Sequence, residues 1–157
     1  MNLYILNGGL ALGWSALMGN FTLSSLTVGF ILGYFALLLA RPLFGETTYF
    51  ERIWYILRLA FLFVYELIVS SLQVVWDVVT PTHLSRPGII AMPLAAKGEG
   101  EILLVANLIS LTPGTLSLDV SDDQETLYVH GMFVDDPDAL RAELKNGMER
   151  WVMEALE

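Results

Sequence analysis

The first 40 residues of the chain contain no Asp, Glu, Lys or Arg. A soluble domain keeps charged side chains on its surface, so a charge-free stretch of this length is expected to have lipid as its solvent. The charges gather instead in residues 81–157, which hold five basic and thirteen acidic side chains. We therefore predict a transmembrane region in residues 1–80 and a small acidic soluble domain in residues 81–157.

Two apolar runs lie within the charge-free stretch, at residues 3–18 and 22–40. Gly19-Asn20 between them is a turn signal. As a helix, the first run would be about 24 Å long, shorter than the ~30 Å hydrocarbon core, whereas the second run is long enough to cross it. The two runs are expected to form an antiparallel hairpin of helices.

Both runs carry glycines four residues apart, a spacing that places them on one face of a helix. In lipid, helices associate through close packing rather than through hydrophobicity, and small residues let their backbones approach. We therefore predict helix-packing positions at Gly9, Gly13, Gly29 and Gly33.

A third apolar segment, residues 53–79, contains the charged residues Arg58, Glu66 and Asp77. It is too long for one straight crossing, so we expect a long helix that begins along the membrane interface and then crosses. Aromatic residues suit the interfacial level of a bilayer. Those of this segment that suit it are Trp54, Tyr55, Tyr65 and Trp76.

The acidic half reads as strand, helix, strand, strand, helix. Alternating or periodic apolar residues predict strands at 87–94, 116–120 and 126–134 and a helix at 101–111. The last helix is expected to start at Asp135 or Asp136, with an apolar stripe of Leu140, Leu144, Met148, Trp151 and Ala155. This order predicts a small α+β domain in which two helices cover one face of a three-stranded sheet.

Several kinds of function are not supported by the residues. The chain has no cysteine, and its two histidines, His83 and His130, are far apart in sequence, so we predict no metal site and no cofactor. The acidic half would repel phosphate backbones, which disfavours nucleic acid as a partner. No Ser-His-Asp arrangement appears, and we expect no enzyme.

One run resembles the signature of a known family. The segment Asn107-Leu108-Ile109-Ser110-Leu111-Thr112-Pro113-Gly114-Thr115 is similar to a motif in the E subunit of the Mrp (Mnh) multisubunit Na+/H+ antiporters. The resemblance covers nearly the whole chain. It implies a subunit of the cell membrane that works only in a complex with other membrane subunits, which exchanges Na+ for H+, and a C-terminal domain in the cytoplasm. The subunit is expected to support assembly and to seal or support the ion path.

Glu66 is the sharpest candidate for chemistry, because a carboxylate at bilayer depth is usually paired, protonated or on an ion path. A structural hydrogen bond to a neighbouring subunit is an equally good interpretation. Arg58 is expected to reach the headgroups, and Asp77 to be a wet interfacial carboxylate. All three are candidates for the ion path or a subunit contact.

The turn Thr112-Pro113-Gly114-Thr115 has the chemistry of a helix stop, because Pro113 lacks an N–H and Gly114 can take a positive φ. We predict that this turn docks on a partner subunit. Asn107, one to two helical turns upstream, is expected to hydrogen-bond across the same contact.

Membrane orientation is the point at which the indications conflict. The basic residues Arg41, Arg52 and Arg58, against Arg86 and Lys97 after the third segment, slightly favour a cytoplasmic first loop. The resemblance instead places the C-terminal domain in the cytoplasm, and both hold only if the third helix does not fully cross. We follow the resemblance and expect the C-terminal domain to be in the cytoplasm.

The alternative to an antiporter subunit is a free-standing membrane-anchored binding or scaffolding module.

Overall fold

The computed structural model describes residues 2–45, 47–81 and 85–156. Its internal contacts divide the chain into two compact units, Met1–Glu51 and Arg52–Glu157. His83, considered above as a metal ligand, lies outside the described residues. The boundary predicted near residue 80 concerns which part of the chain is in lipid, and it stays a prediction.

The first unit is a pair of helices, α1 (Leu3–Leu17) and α2 (Leu23–Leu39), so the predicted helical N-terminal part is confirmed. The Asn2 side chain caps α1 by accepting from Tyr4 N at 3.0 Å, and Thr22 Oγ1 caps α2 by accepting from Ser25 N at 3.3 Å. Gly19, with φ +64°, supplies the left-handed residue that ends α1 and lets the chain turn back.

A short 3₁₀ turn, Arg41–Leu43, leads to the long helix α3 (Tyr49–Val79). The 31 residues of α3 begin four residues before the predicted start. In the part of the chain that the structure describes, α3 is the single helix long and apolar enough to cross a membrane by itself. α1 and α2 are apolar but shorter, about 22 and 26 Å.

The second unit contains a three-stranded antiparallel sheet of β1 (Gly88–Pro93), β2 (Thr115–Val120) and β3 (Thr126–Gly131), with β3 in the centre. Helix α4 (Glu99–Leu111) connects β1 to β2, as predicted. The β2–β3 turn is held by Asp123, which accepts from Ser121 Oγ at 2.5 Å and Glu125 N at 3.0 Å. The Ser121 hydroxyl holds the pKa of the Asp123 carboxyl below its ordinary value.

The C-terminal helix is interrupted, where the sequence predicted one continuous helix. It consists of α5 (Pro137–Leu144), a π-helical turn (Lys145–Glu149) and α6 (Arg150–Leu156), with Asp136 as the N-cap. A π turn adds a residue and rotates the positions after it. The core therefore contains Val152, fully buried, where the predicted stripe had Trp151, which is only half-buried.

One apolar core joins the sheet to these helices. It consists of buried side chains from β1, β3, α4 and the C-terminal helices: Ile90, Met92, Val105, Ile109, Leu127, Val129, Leu144, Met148 and Val152. Leu59 of α3 packs against its edge. The predicted α+β layer is confirmed, and α3 belongs to the same compact unit from Arg52 onward.

Candidate functional site

The hairpin of α1 and α2 has small and polar residues on its inside. One stripe of α1, spaced four residues apart, is buried: Leu3, Asn7, Ala11 and Ser15. Facing it on α2 are Gly29, Gly33 and Leu37. The outside is made of large apolar side chains, and four are more than 70% exposed: Ile5, Leu17, Leu23 and Leu39. This distribution is the opposite of a soluble hairpin and suits an element surrounded by lipid or by apolar protein.

The four predicted packing glycines fall into two pairs. A Cβ at Gly29 would lie 2.9 Å from the Ala11 backbone, and one at Gly33 would meet Asn7 Oδ1, so these two glycines permit the contact between the helices. Gly9 and Gly13 have no atom within 4 Å of a Cβ position. They line an open apolar groove of about 350 Å³ together with Leu10, Trp14, Leu17, Leu32 and Ala36.

Asn7 makes a buried polar contact that sequence reasoning missed. Its Nδ2 donates to the hydroxyl of Tyr49 at 2.7 Å, and both residues are almost fully buried. Tyr49 stacks edge-on against Tyr4 and Phe50. An isolated amide in the middle of an apolar helix was the signal that could have revealed this contact, because a buried amide needs a partner.

From Arg52 onward, the charged residues of α3 turn toward the α+β part of the second unit, by which we mean residues 81–157. Arg58 Nη1 forms an ion pair with Glu154 Oε2 of α6 at 2.6 Å, so the chain itself supplies a partner for this charge, and a contact with headgroups stays a prediction. Asp77 is 2% exposed and accepts from Ser85 N at 3.0 Å, so the expectation of a wet carboxylate is wrong. In both cases the partner lies outside α3, where the pattern of that helix could not reveal it.

The structure brings Glu66 and the predicted docking turn together. Both line a cavity of about 100 Å³. No pattern in the sequence indicated that Glu66 and this turn are close together. The second carboxylate in its wall is Glu143 of α5. The other lining residues are Ser70, Gln73, Thr112, Pro113, Gly114, Thr115, Gly131, Phe133, Leu140, Leu144 and Met148. The wall therefore has two carboxylates, an amide and hydroxyls on an apolar floor, which suits water or a small polar group.

The turn Thr112–Thr115 is packed internally. Thr112 is buried and its hydroxyl donates to Leu108 O at 2.9 Å, while the hydroxyl of Thr115 donates to Ile109 O at 2.7 Å. These bonds satisfy carbonyls at the end of α4. Gly114 has φ +90°, which only glycine adopts without strain. These contacts account for the turn within the chain itself, and docking on a partner stays a prediction.

Asn107 does not join the turn. It is exposed on α4, and its Nδ2 donates back to Leu103 O at 2.9 Å. It is therefore available to a partner surface, but not as part of the cavity that contains Glu66.

Glu149, in the π-helical turn, is a second buried polar residue that the sequence did not reveal. It is 1% exposed, and Oε1 accepts from the backbone N–H groups of Ala95 at 2.5 Å and Ala96 at 3.1 Å. Lys145 Nζ lies 3.7 Å from Oε2. The carboxylate thus fixes the loop after β1 to the C-terminal helices. Nothing in the spacing of the helix distinguished it from exposed acids.

Over residues 2–45, 47–81 and 85–156, no group of three or more acidic or histidine side chains is arranged to hold a metal ion. The cavity beside Glu66 is where residues singled out from the sequence meet in the folded chain. Comparison with known proteins decides what kind of protein contains them.

The chain matches the family model described as Na+/H+ ion antiporter subunit (MNHE) over residues 7–155. The chain belongs to this family. Two relatives are the E subunit of a Na+/H+ antiporter from Alkalihalophilus pseudofirmus, 35% identical, and the E1 subunit of a Na+/H+ antiporter from Staphylococcus haemolyticus, 38% identical. Each alignment covers 96% of this chain, and 95% and 94% of the respective relative.

Two solved structures contain similar chains. One, from the Mrp complex of Dietzia sp. DQ12-45-1b, is 32% identical with a TM-score of 0.51, over 67% of this chain and 94% of that one. The other, from the membrane-bound sulfane sulfur reductase, an archaeal respiratory membrane complex, is 25% identical with a TM-score of 0.53, over 87% of this chain and 86% of that one. The resemblance inferred from the motif in α4 and its following turn is thereby confirmed. As a member of the Na+/H+ ion antiporter subunit family, the chain is a membrane protein of an ion-transport complex.

Proposed function

We propose that this chain is a supporting subunit of a multisubunit Na+/H+ antiporter in the cell membrane, and that its α1–α2 hairpin attaches it to other membrane subunits. Its relatives are named as antiporter subunits, and a similar chain lies in a solved Mrp complex. Na+ and H+ are then bound and moved by the complex as a whole. The proposed contribution of this chain is assembly and stability.

The observation that carries the proposal is the groove beside Gly9 and Gly13. A glycine pair with open space above it allows a further helix to approach the backbone of α1 closely. The groove is apolar, so a helix from a neighbouring membrane subunit can fill it without burying an unpaired polar group.

The same hairpin offers little to a passing ion. Residues 2–40 contain no charged side chain. Asn7 Nδ2 donates to the hydroxyl of Tyr49 and Ser15 Oγ donates to Ser25 Oγ, which leaves Asn7 Oδ1 as a buried oxygen without a hydrogen-bond partner among the described residues. Acidic and histidine side chains are the usual members of a proton relay within a membrane, and this stretch contains none. The hairpin is therefore the candidate for attachment, and Glu66, which lies outside the hairpin beside the cavity, is the candidate for a contact with the ion path.

The test fills the groove without touching the contact between α1 and α2. Gly13→Leu places a large side chain where a neighbouring helix would lie, and Gly8→Leu, whose Cβ position is also open but which does not line the groove, is the matched control. In cells that express the whole complex, we expect Gly13→Leu to remain in the membrane but to retain several-fold less of the other subunits on affinity purification. The Gly8→Leu variant is expected to retain them. Equal retention by both variants would remove the groove from the interface.

A further inference from the structure

Helix α3 has two faces of opposite character from Arg52 to Val79. The covered face carries every charged residue of this stretch: Arg52, Arg58, Glu66 and Asp77. The exposed face carries none, and consists almost entirely of large apolar and aromatic side chains. Its members include Trp54, Leu57, Phe61, Val64, Tyr65, Ile68, Leu72, Val75, Trp76 and Val79, which are 50–71% exposed.

The covered face touches the α+β part of the second unit from one end to the other. Arg52 Nη2 donates to Leu156 O at 2.8 Å near the start, and Arg58, six residues further along α3, pairs with Glu154. Glu66 shares its cavity with the turn after α4, and Asp77 binds Ser85 N near the end. From Arg52 to Asp77 the helix rises about 38 Å, more than the ~30 Å hydrocarbon core.

A crossing helix with these contacts would place the α+β part inside the bilayer. That part has five basic and thirteen acidic residues, including exposed charges such as Arg150 and Glu143, and their transfer into hydrocarbon is strongly unfavourable. A helix that lies along the membrane surface can bury one continuous apolar face in lipid while its charged and polar face stays on the aqueous side.

We propose that α3 lies in the plane of the membrane surface, with its exposed face in lipid and the α+β part on its aqueous side, and that it does not cross. The occupant of the exposed apolar face is then the acyl and headgroup region of a bilayer. The inference rests on the membrane location of the family and is independent of the groove beside Gly13.

The proposal removes the conflict over sidedness. With two crossings, by α1 and α2, the loop that contains Arg41 and the α+β part are on the same side of the membrane. A cytoplasmic basic loop and a cytoplasmic C-terminal part are then compatible. With three crossings, the loop that contains Arg41 and the α+β part are on opposite sides of the membrane. Chemical labelling from each side distinguishes the two topologies.

Because the chain has no cysteine, a single introduced cysteine is its one reactive thiol, and labelling is read on this chain after it is separated from the other subunits. Thr48→Cys in the loop before α3 and Asp122→Cys in the β2–β3 turn replace exposed residues. Asn20→Cys in the hairpin turn reports the other side. Each variant is expressed with the whole complex, and right-side-out and inverted vesicles are treated with a membrane-impermeant maleimide. We expect Thr48→Cys and Asp122→Cys to react in the same vesicle orientation; reaction in opposite orientations would overturn the proposal.

A second measurement identifies what covers the exposed face. Spin labels on cysteines at positions 61, 64, 68 and 72 report collision with oxygen, which concentrates in lipid, and depth in the bilayer. The proposal expects high oxygen accessibility and nearly equal, shallow depths at all four positions. Depths that change steadily along the helix would mean that α3 crosses. Low oxygen accessibility at all four would mean that another subunit covers the face, and either result would refute the proposal.

Discussion

At the scale of single residues, the polar side chains of this protein mark where its separate parts are held together. Asn7 binds Tyr49 within the hairpin unit, and Glu149 binds two backbone N–H groups after β1. Removing one member of such a contact leaves the other buried and unpaired, which is destabilising by about 1–3 kcal/mol. Glu66 differs from these residues because it faces a cavity rather than a fixed donor.

Replacing Glu66 tests whether that carboxylate matters to the complex. Glu66→Gln keeps the shape of the side chain and removes its charge, and it is expected to lower either the yield of assembled complex or its Na+/H+ antiport in inverted vesicles. Glu125→Gln, which removes an exposed carboxylate of the β2–β3 turn, is the control and should change neither. If Glu66→Gln assembles normally and transports at the wild-type rate, the residue has no place in the site.

The sequence revealed which residues were chemically unusual but not what they contact. Glu66 was identified from its position in an apolar run, and the turn at Thr112 from its Pro-Gly pair. That they share one cavity depends on how α3 approaches α5 and the turn after α4, which no local pattern encodes. The partners of Arg58 and Asp77 were missed for the same reason, since Glu154 and Ser85 lie outside α3, and the buried environment of Asp77 was predicted wrongly.

At the scale of elements, the hairpin and the C-terminal helix differ in how well their patterns predicted them. The apolar runs separated by Gly19 were sufficient for α1 and α2. The last helix had a clear start at Asp136, but its π-helical turn reassigned the inward positions, so that Val152 rather than Trp151 is in the core. A five-residue turn produces no distinct sequence pattern, because its effect is only a rotation of the residues after it.

A pair of glycine substitutions tests the contact between α1 and α2. Gly33→Ala places a methyl group where Asn7 Oδ1 lies, so the helices must separate or shift. We expect a destabilisation of about 1–3 kcal/mol, typical of overpacking. Gly8→Ala has open space and should be neutral or stabilise by about 0.5–1 kcal/mol, because alanine favours the helix. Thermal unfolding of the detergent-solubilised chain measures both, and equal midpoints would contradict the packing described for Gly33.

At the scale of the whole molecule, the chain combines an inside-out hairpin with an α+β unit whose long helix exposes a second apolar surface. The order of elements and the family could both be inferred from the sequence, through hydrophobic periodicity and the motif around Asn107 to Thr115. Whether α3 crosses the bilayer could not be inferred from the sequence, because α3 is long enough to cross and also amphipathic enough to lie flat. The contacts of its charged face are the basis for the proposal that it lies flat.

The central claim is that this chain works as one subunit among several in a membrane antiporter. It is tested most directly by affinity purification of the tagged chain from native membranes in mild detergent, followed by native mass spectrometry. We expect one assembly in which this chain is present with several different hydrophobic membrane subunits. Elution of the chain alone, as a stable monomer or homodimer, would contradict it and would favour a free-standing membrane-anchored module.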